Sequence, residues 1–189
     1  PRRWSLSDCE RMAEAGLLTW GEHAELVEGY VVTMPRGLAL QTYIRCLTHT
    51  FLHRLLDDPV LFSGAGHRIV FDDANLACPD FCMLKWRDDW YRDAWPRARD
   101  VLAIMDVSAE PLVSGSDMRI RQFARFGVPE FWHADGTSSV MIIHLAPVGS
   151  EYSDVRTYSH GESFVSEALG GIAIPVDSLI GPRAPSGDD

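Results

Sequence analysis

Helical spacing of apolar residues marks two long segments of this chain. One is 38–56, where apolar residues recur every three or four positions; the other begins at Ser114 or Ser116. A third, shorter helix is predicted for 9–15, with its N-terminal cap at Ser7-Asp8. These segments are the helices expected to flank a sheet.

Shorter apolar or alternating segments predict the strands of that sheet. They are 25–34 (with a turn at Glu28-Gly29), 67–71, 76–84, 101–107, 130–134, 140–146 and 155–158. The order of the elements predicts one α/β or α+β domain over residues 1–180, with a mixed central sheet flanked by helices. The Pro, Gly, Ser and Asp content of 181–189 predicts a disordered tail.

Composition limits the kinds of partner. The chain has 189 residues and a formal net charge of -10, and a single lysine, Lys85, stands among its 17 cationic residues. Such an acidic protein repels nucleic acid, so phosphate binding requires a local basic patch or a metal ion. The four cysteines form no Cys-x-x-Cys pair, which favours free thiols in a reducing, cytoplasmic compartment. The longest apolar runs are far shorter than a membrane span, so no membrane partner is expected.

Two acids interrupt apolar segments that are predicted to be buried strands. Asp80 stands in Cys-Pro-Asp-Phe, and Asp106 stands in Ile-Met-Asp-Val-Ser. A buried carboxylate is very costly without a partner, so each is expected to accept backbone N–H groups, pair with an arginine or bind a metal. With Glu25 as a third acid, a shared cation site becomes a competing explanation beside backbone hydrogen bonds and arginine pairs. Oxygen ligands alone favour Mg²⁺ or Mn²⁺ over zinc.

A series of motifs in order resembles one nuclease family. The motifs are Glu25-Leu-Val-Glu-Gly, Pro79-Asp80, Asp106-Val-Ser and Phe123-Ala-Arg-Phe-Gly-Val-Pro-Glu-Phe-Trp. Together they resemble the Uma-two-type restriction endonuclease family of the PD-(D/E)XK nuclease superfamily, over roughly residues 3–180. The resemblance implies a restriction-endonuclease-like core in which Glu25, Asp80, Asp106 and the Val107 carbonyl hold Mg²⁺ or Mn²⁺. This ion would activate water against a DNA phosphodiester. The family has glutamate at the Asp106 position.

The departures from the family pattern concern its basic residues. Arg119 stands where the family has lysine, Ser108 occupies the lysine position of the wider superfamily, and Leu40 falls near a family histidine. Arg119 can hold phosphate with a bidentate fork, but it cannot act as a general base because guanidinium stays protonated. Lys85 is no substitute, because strand alternation places it on the face opposite to Asp80.

An aromatic segment follows the Asp80 strand. Trp86 and Trp90 alternate there with arginines, a composition that can stack bases and bind phosphate. Neighbouring aspartates offset those arginines, which weakens the nucleic-acid interpretation. A lid over a pocket or a subunit interface is the competing interpretation, and a homodimer is expected.

The leading functional prediction is metal-dependent hydrolysis of DNA. Asp80, Asp106 and Arg119 would be the catalytic residues, and Arg119, Trp86 and Trp90 would bind the substrate. One alternative is an enzyme that uses the same cleft for a small-molecule ligand. Another is a non-catalytic binding domain that has kept the fold.

Overall fold

The computed structural model of the chain describes residues 2–18, 24–33, 39–55, 60–63, 68–108 and 114–182. Its helices and strands are, in chain order, α1 (Leu6–Glu14), β1 (Ala24–Val27), β2 (Tyr30–Thr33), α2 (Ala39–Leu55), β3 (Val60–Ser63), β4 (Ile69–Asp72), β5 (Asn75–Ala77), β6 (Phe81–Lys85), β7 (Val101–Ser108), α3 (Ser114–Arg125), β8 (Glu130–Asp135), β9 (Val140–Val148), β10 (Glu151–Tyr158), β11 (Ser163–Ser166), β12 (Ile172–Pro175) and α4 (Asp177–Ile180). A short 3-10 turn, Ala98–Asp100, precedes β7. Within these ranges, no helix is long and apolar enough to cross a membrane.

A mixed six-stranded sheet forms the centre of the fold. Its strand order is β10-β9-β8-β7-β6-β3, with β7 and β8 parallel and the other neighbours antiparallel. A second, antiparallel sheet has the order β2-β1-β5-β4, and β11 and β12 form a separate hairpin. The predicted mixed sheet flanked by helices is confirmed.

The two long helices cover opposite faces of the central sheet. Ile44 and Leu52 of α2 pack in one core with Met105 of β7, whereas Phe123 of α3 packs in another core with Ile104. This alternation extends to β6, where Phe81 and Met83 face the α2 core and Cys82 and Leu84 face the α3 core. Asp106 follows Ile104 at a spacing of two, so it lies on the α3 face.

Two local predictions need correction. Helix α1 begins at Leu6, because Ser5 and Asp8 form a capping box in which the Ser5 Oγ accepts from the Asp8 N–H at 3.1 Å. The predicted strand 76–84 is two strands in different sheets, β5 and β6. Pro79 between them has no N–H for a ladder, and Asp80 precedes β6 instead of lying within it.

Other predictions fall partly outside the described residues. The strand predicted for 67–71 is β4, but His67 is not described. The predicted disordered tail lies outside the described residues beyond Pro182. The strands β3, β11 and β12 and the short helix α4 had not been predicted.

Candidate active site: three carboxylates and two arginines

The connection between β5 and β6 brings the three predicted acids together. The Cys78 N–H donates to Glu25 Oε1 at 2.7 Å, and the Asp80 N–H donates to Asp106 Oδ1 at 3.1 Å. In return, the Val107 N–H donates to Asp80 Oδ2 at 2.8 Å. Glu25 belongs to the four-stranded sheet and Asp106 to the six-stranded sheet, so this connection gathers carboxylates from both.

Two arginines from opposite faces of the central sheet form ion pairs with these acids. Arg119 of α3 bridges two acids, with Nη2 2.9 Å from Glu25 Oε1 and Nη1 2.9 Å from Asp106 Oδ2. Arg45 of α2 places Nη2 2.6 Å from Asp80 Oδ1. We call Glu25, Asp80, Asp106, Arg45 and Arg119 the charge cluster. Sequence reasoning missed Arg45, because nothing in the spacing of α2 indicates that it reaches Asp80.

Burial and mutual repulsion set the electrostatics of the charge cluster. The Glu25 side chain is 2% exposed, and those of Asp80 and Asp106 are 15% and 11% exposed. Burial raises the pKa of Glu25, and the charges of Asp106 and Asp80 raise it further against the opposing effect of Arg119. Burial and the Asp106 charge likewise raise the pKa of Asp80. Arg119 and Arg45 lower these pKa values, but they do not cancel the effects of burial and of the neighbouring carboxylates.

Helix α3 is fixed on the small sheet by Gln122, one turn after Arg119. Its Nε2 donates to the Leu26 carbonyl at 3.0 Å and to Asn75 Oδ1 at 3.2 Å. Asn75 Oδ1 also accepts from the Glu28 N–H at 2.8 Å. These contacts hold α3 beside β1, and so place Arg119 opposite Glu25.

The whole of this core matches a family model described as "Putative restriction endonuclease", named Uma2, over residues 8–177. The chain belongs to the Uma2 family. The predicted resemblance is thereby confirmed. Among curated proteins, none matches the chain significantly.

A solved structure shows the same fold as this Uma2 chain. It is the crystal structure of a "putative nuclease belonging to DUF820" from Anabaena variabilis ATCC 29413. The alignment covers 89% of this chain and 96% of that chain, with a TM-score of 0.64 and 12% sequence identity. At that identity the likeness establishes the fold alone.

A serine and a histidine lie beside the acids of this Uma2 chain. Ser108 Oγ is 2.7 Å from His133 Nε2, and His133 is the register partner of Asp106 between β7 and β8. Burial lowers the pKa of His133, which favours its neutral form. Sequence reasoning gave His133 no role. His133 lies on the same face of β8 as Asp135, because the two residues are two positions apart in the strand.

The predicted aromatic residues are not brought to the charge cluster. Trp86 and Trp90 pack edge to face with ring centroids 4.7 Å apart, beyond the C-terminal end of β6. Asp80 precedes the N-terminal end of that five-residue strand, so roughly 17 Å of strand separates the two positions. Lys85 lies at the same far end and donates from Nζ to the Arg99 carbonyl. Leu40 lies in α2, but its side chain is outside the described part.

The donor chemistry of the acids fits a hard divalent cation. The candidate ligands are three carboxylates and the Val107 carbonyl, and all of them offer the oxygen atoms that Mg²⁺ and Mn²⁺ prefer. Within the described residues, Glu25 Oε2 is buried and has no hydrogen-bond partner, which leaves one donor available. In the described ranges, however, no three His, Cys, Asp or Glu side chains are arranged to hold a metal ion. Arg119 takes an oxygen from each of two acids, so an ion would need those oxygens.

Proposed function

We propose that this chain hydrolyses phosphodiester bonds of DNA, with Mg²⁺ or Mn²⁺ held by Glu25, Asp80 and Asp106. The main support is the convergence of three carboxylates from separate segments at a largely buried position, where Asp80 is the most exposed at 15%. Membership of a family described as a putative restriction endonuclease agrees with the proposal. A bound divalent ion would supply the positive charge that an attacking water and a scissile phosphate both need.

The residues of the charge cluster would have distinct roles. Asp80 and Asp106 are oriented by backbone N–H groups, so their remaining lone pairs have fixed directions. Arg119 carries two forked Nη groups, which match the geometry of two phosphate oxygens. Because Arg119 stays protonated, it would stabilise charge and not accept a proton.

A cleavage assay with paired carboxylate variants tests this function. Supercoiled plasmid and single-stranded DNA are incubated with Mg²⁺ or Mn²⁺ and the wild type, Asp80→Asn or Asp154→Asn. Asp154 is a matched control, since it pairs with Arg156 on β10, away from the acids. We expect a loss of at least about 100-fold for Asp80→Asn alone. Wild-type cleavage no faster than that of Asp80→Asn would refute the proposal.

A non-catalytic domain is the second candidate, and the bridging position of Arg119 favours it. Arg119 pairs with both Glu25 and Asp106, so these acids can have a purely structural role as the partners of a buried guanidinium. Calorimetry with Mn²⁺ separates the candidates. Binding in the wild type that disappears in Asp106→Asn supports the metal-dependent enzyme, whereas no binding in either supports the structural role.

The small-molecule alternative stays a proposal with one support fewer. The aromatic rim was one support, and Trp86 and Trp90 lie at the other end of β6. The acidic surface and the replacements at Leu40 and Arg119 remain in its favour. The homodimer remains a proposal. The exposed rings of Trp90 (65%) and Trp95 (49%) are the expected contact surface, and light scattering of the wild type against Trp90→Ser tests it.

A further inference from the structure

Arg119 occupies the position between the acids of the two sheets. Its side chain is 13% exposed, and its two Nη groups lie 2.9 Å from Glu25 Oε1 and 2.9 Å from Asp106 Oδ2. Its Nε is buried and makes no hydrogen bond within the described residues. The guanidinium also lies over the Phe123 ring, 5.5 Å from its centroid, so within the described residues its polar contacts are those with the two carboxylates.

The charge balance favours the release of one guanidinium when a divalent cation binds. The three carboxylates carry -3 and the two guanidiniums +2, which leaves -1 when all are ionised. A divalent ion would change this to +1 in a poorly hydrated site. Excess charge of either sign is costly there, so one guanidinium and a divalent ion oppose each other.

The oxygen atoms identify Arg119 as the competitor. Within the described part of the chain, Arg45 pairs with one acid, Asp80, and its side chain is 23% exposed. Arg119 takes one oxygen from each of two acids that belong to different sheets. An ion that joins Glu25 to Asp106 must share or replace these contacts, whereas Arg45 can remain on Asp80.

We propose that Arg119 is an internal counter-cation that competes with a divalent ion for Glu25 and Asp106. Metal binding displaces the guanidinium, whose two Nη groups then become available to donate to a phosphodiester of nucleic acid. Metal and DNA then bind cooperatively, because each stabilises the same released position of Arg119. This inference rests on the metal-binding part of the proposed function.

Metal affinity measured without any substrate tests the competition. Mn²⁺ is titrated by calorimetry into metal-free wild type, Arg119→Ala, Arg119→Lys and Arg125→Ala. Arg125 is the matched control, because it lies on the same helix and pairs with the exposed Glu28. We expect Arg119→Ala to bind Mn²⁺ about tenfold tighter than the wild type or more, since a repelling charge is removed. Arg119→Lys should be intermediate, because a single ammonium lacks the planar fork, and Arg125→Ala should match the wild type.

Folding of the variants is followed in the same samples. Arg119→Ala leaves the Glu25 carboxylate buried without a cation, so the unfolding temperature of this variant without metal should be lower than that of the wild type. Addition of Mn²⁺ should raise the unfolding temperature of the variant more than that of the wild type. If Arg119→Ala does not fold without metal, Arg119→Lys decides. Adding Asp106→Asn to the Arg119→Lys variant should remove its tighter binding of Mn²⁺. This result would show that the ion binds at Asp106.

The outcomes separate this inference from the proposed function. Mn²⁺ binding in the wild type that is equal or weaker in both Arg119 variants overturns the competition and leaves the metal-dependent function standing. An absence of Mn²⁺ binding in the wild type and in both Arg119 variants overturns the two together.

Discussion

Asp80 and Asp106 are oriented through each other's backbone. The Asp80 N–H donates to the Asp106 carboxylate, while the residue after Asp106 donates its N–H to the Asp80 carboxylate. This reciprocal arrangement holds two negative charges close together, and it explains why the Asp106 charge raises the pKa of Asp80.

Neutralising Asp106 should therefore lower the pKa of Asp80. In Asp106→Asn the repulsion is gone but burial remains, and burial is the larger cause of the raised value. We expect the pKa of Asp80 to fall yet stay above that of an ordinary aspartate. A pH titration of the side-chain carboxyl carbons by NMR measures it, with Asp154→Asn as the control. An unchanged Asp80 titration would contradict the predicted coupling.

His144 should make the fold sensitive to acid. Burial beside Phe131 and Tyr152 lowers the pKa of His144 to about 4, from 6.5. Below pH 6.5 His144 becomes protonated in the unfolded chain but stays neutral in the folded protein. The free energy of unfolding therefore falls as the pH drops towards 4. The loss attributable to His144 is roughly 3 kcal/mol.

Replacement of His144 by leucine should remove that part of the pH dependence. Urea denaturation at pH 4, 5.5 and 7 measures it, and His53→Gln, an exposed position on α2, is the control. The stability of His144→Leu should change less between pH 7 and 4 than that of the wild type. Equal slopes for the two proteins would refute this role of His144.

Glu130 should be essential for stability and not for chemistry. Its Oε2 accepts from Trp132 Nε1 at 2.9 Å and Ser166 Oγ at 2.7 Å, and its Oε1 accepts from the Ala168 N–H at 2.9 Å. Glu130→Gln turns one acceptor into a donor that faces other donors. We expect a loss of about 1–3 kcal/mol in urea denaturation. Glu151→Gln, on the exposed edge of β10, should stay within about 0.5 kcal/mol of the wild type.

Gly29 should tolerate no side chain. Its φ is +79°, and an added Cβ would lie 2.9 Å from the Arg3 Cβ. Gly161 has a similar φ of +81° with nothing within 4 Å, so Gly161→Ala separates backbone strain from the close contact. Gly161→Ala should cost about 1 kcal/mol, and Gly29→Ala should cost more in the same thermal denaturation. Equal losses would show that the Arg3 contact is relieved without cost.

Periodicity predicted the parts of the fold that depend on local pattern. The helices α2 and α3, the hairpin at Glu28-Gly29 and the buried strand around Asp106 follow from spacing and turn chemistry alone. The break at Pro79 was missed because the apolar composition of 76–84 continues through it. Only the pairing of β5 and β6 with different sheets reveals that break.

The acids of the site were recognisable, but their cations were not. A carboxylate in an apolar strand is conspicuous, so Asp80 and Asp106 could be selected from sequence. Arg45 is separated from Asp80 by 35 positions in the chain and is one of many arginines, so no local rule connects them. Their pairing depends on how α2 crosses the sheet.

The short connection between β5 and β6 links the acids of the site to the relative position of the two sheets. Because Glu25 belongs to one sheet and Asp106 to the other, the spacing of the acids changes whenever the sheets slide. Any displacement of one sheet relative to the other would therefore be transmitted to the carboxylates through the backbone amides of Cys78 and Asp80.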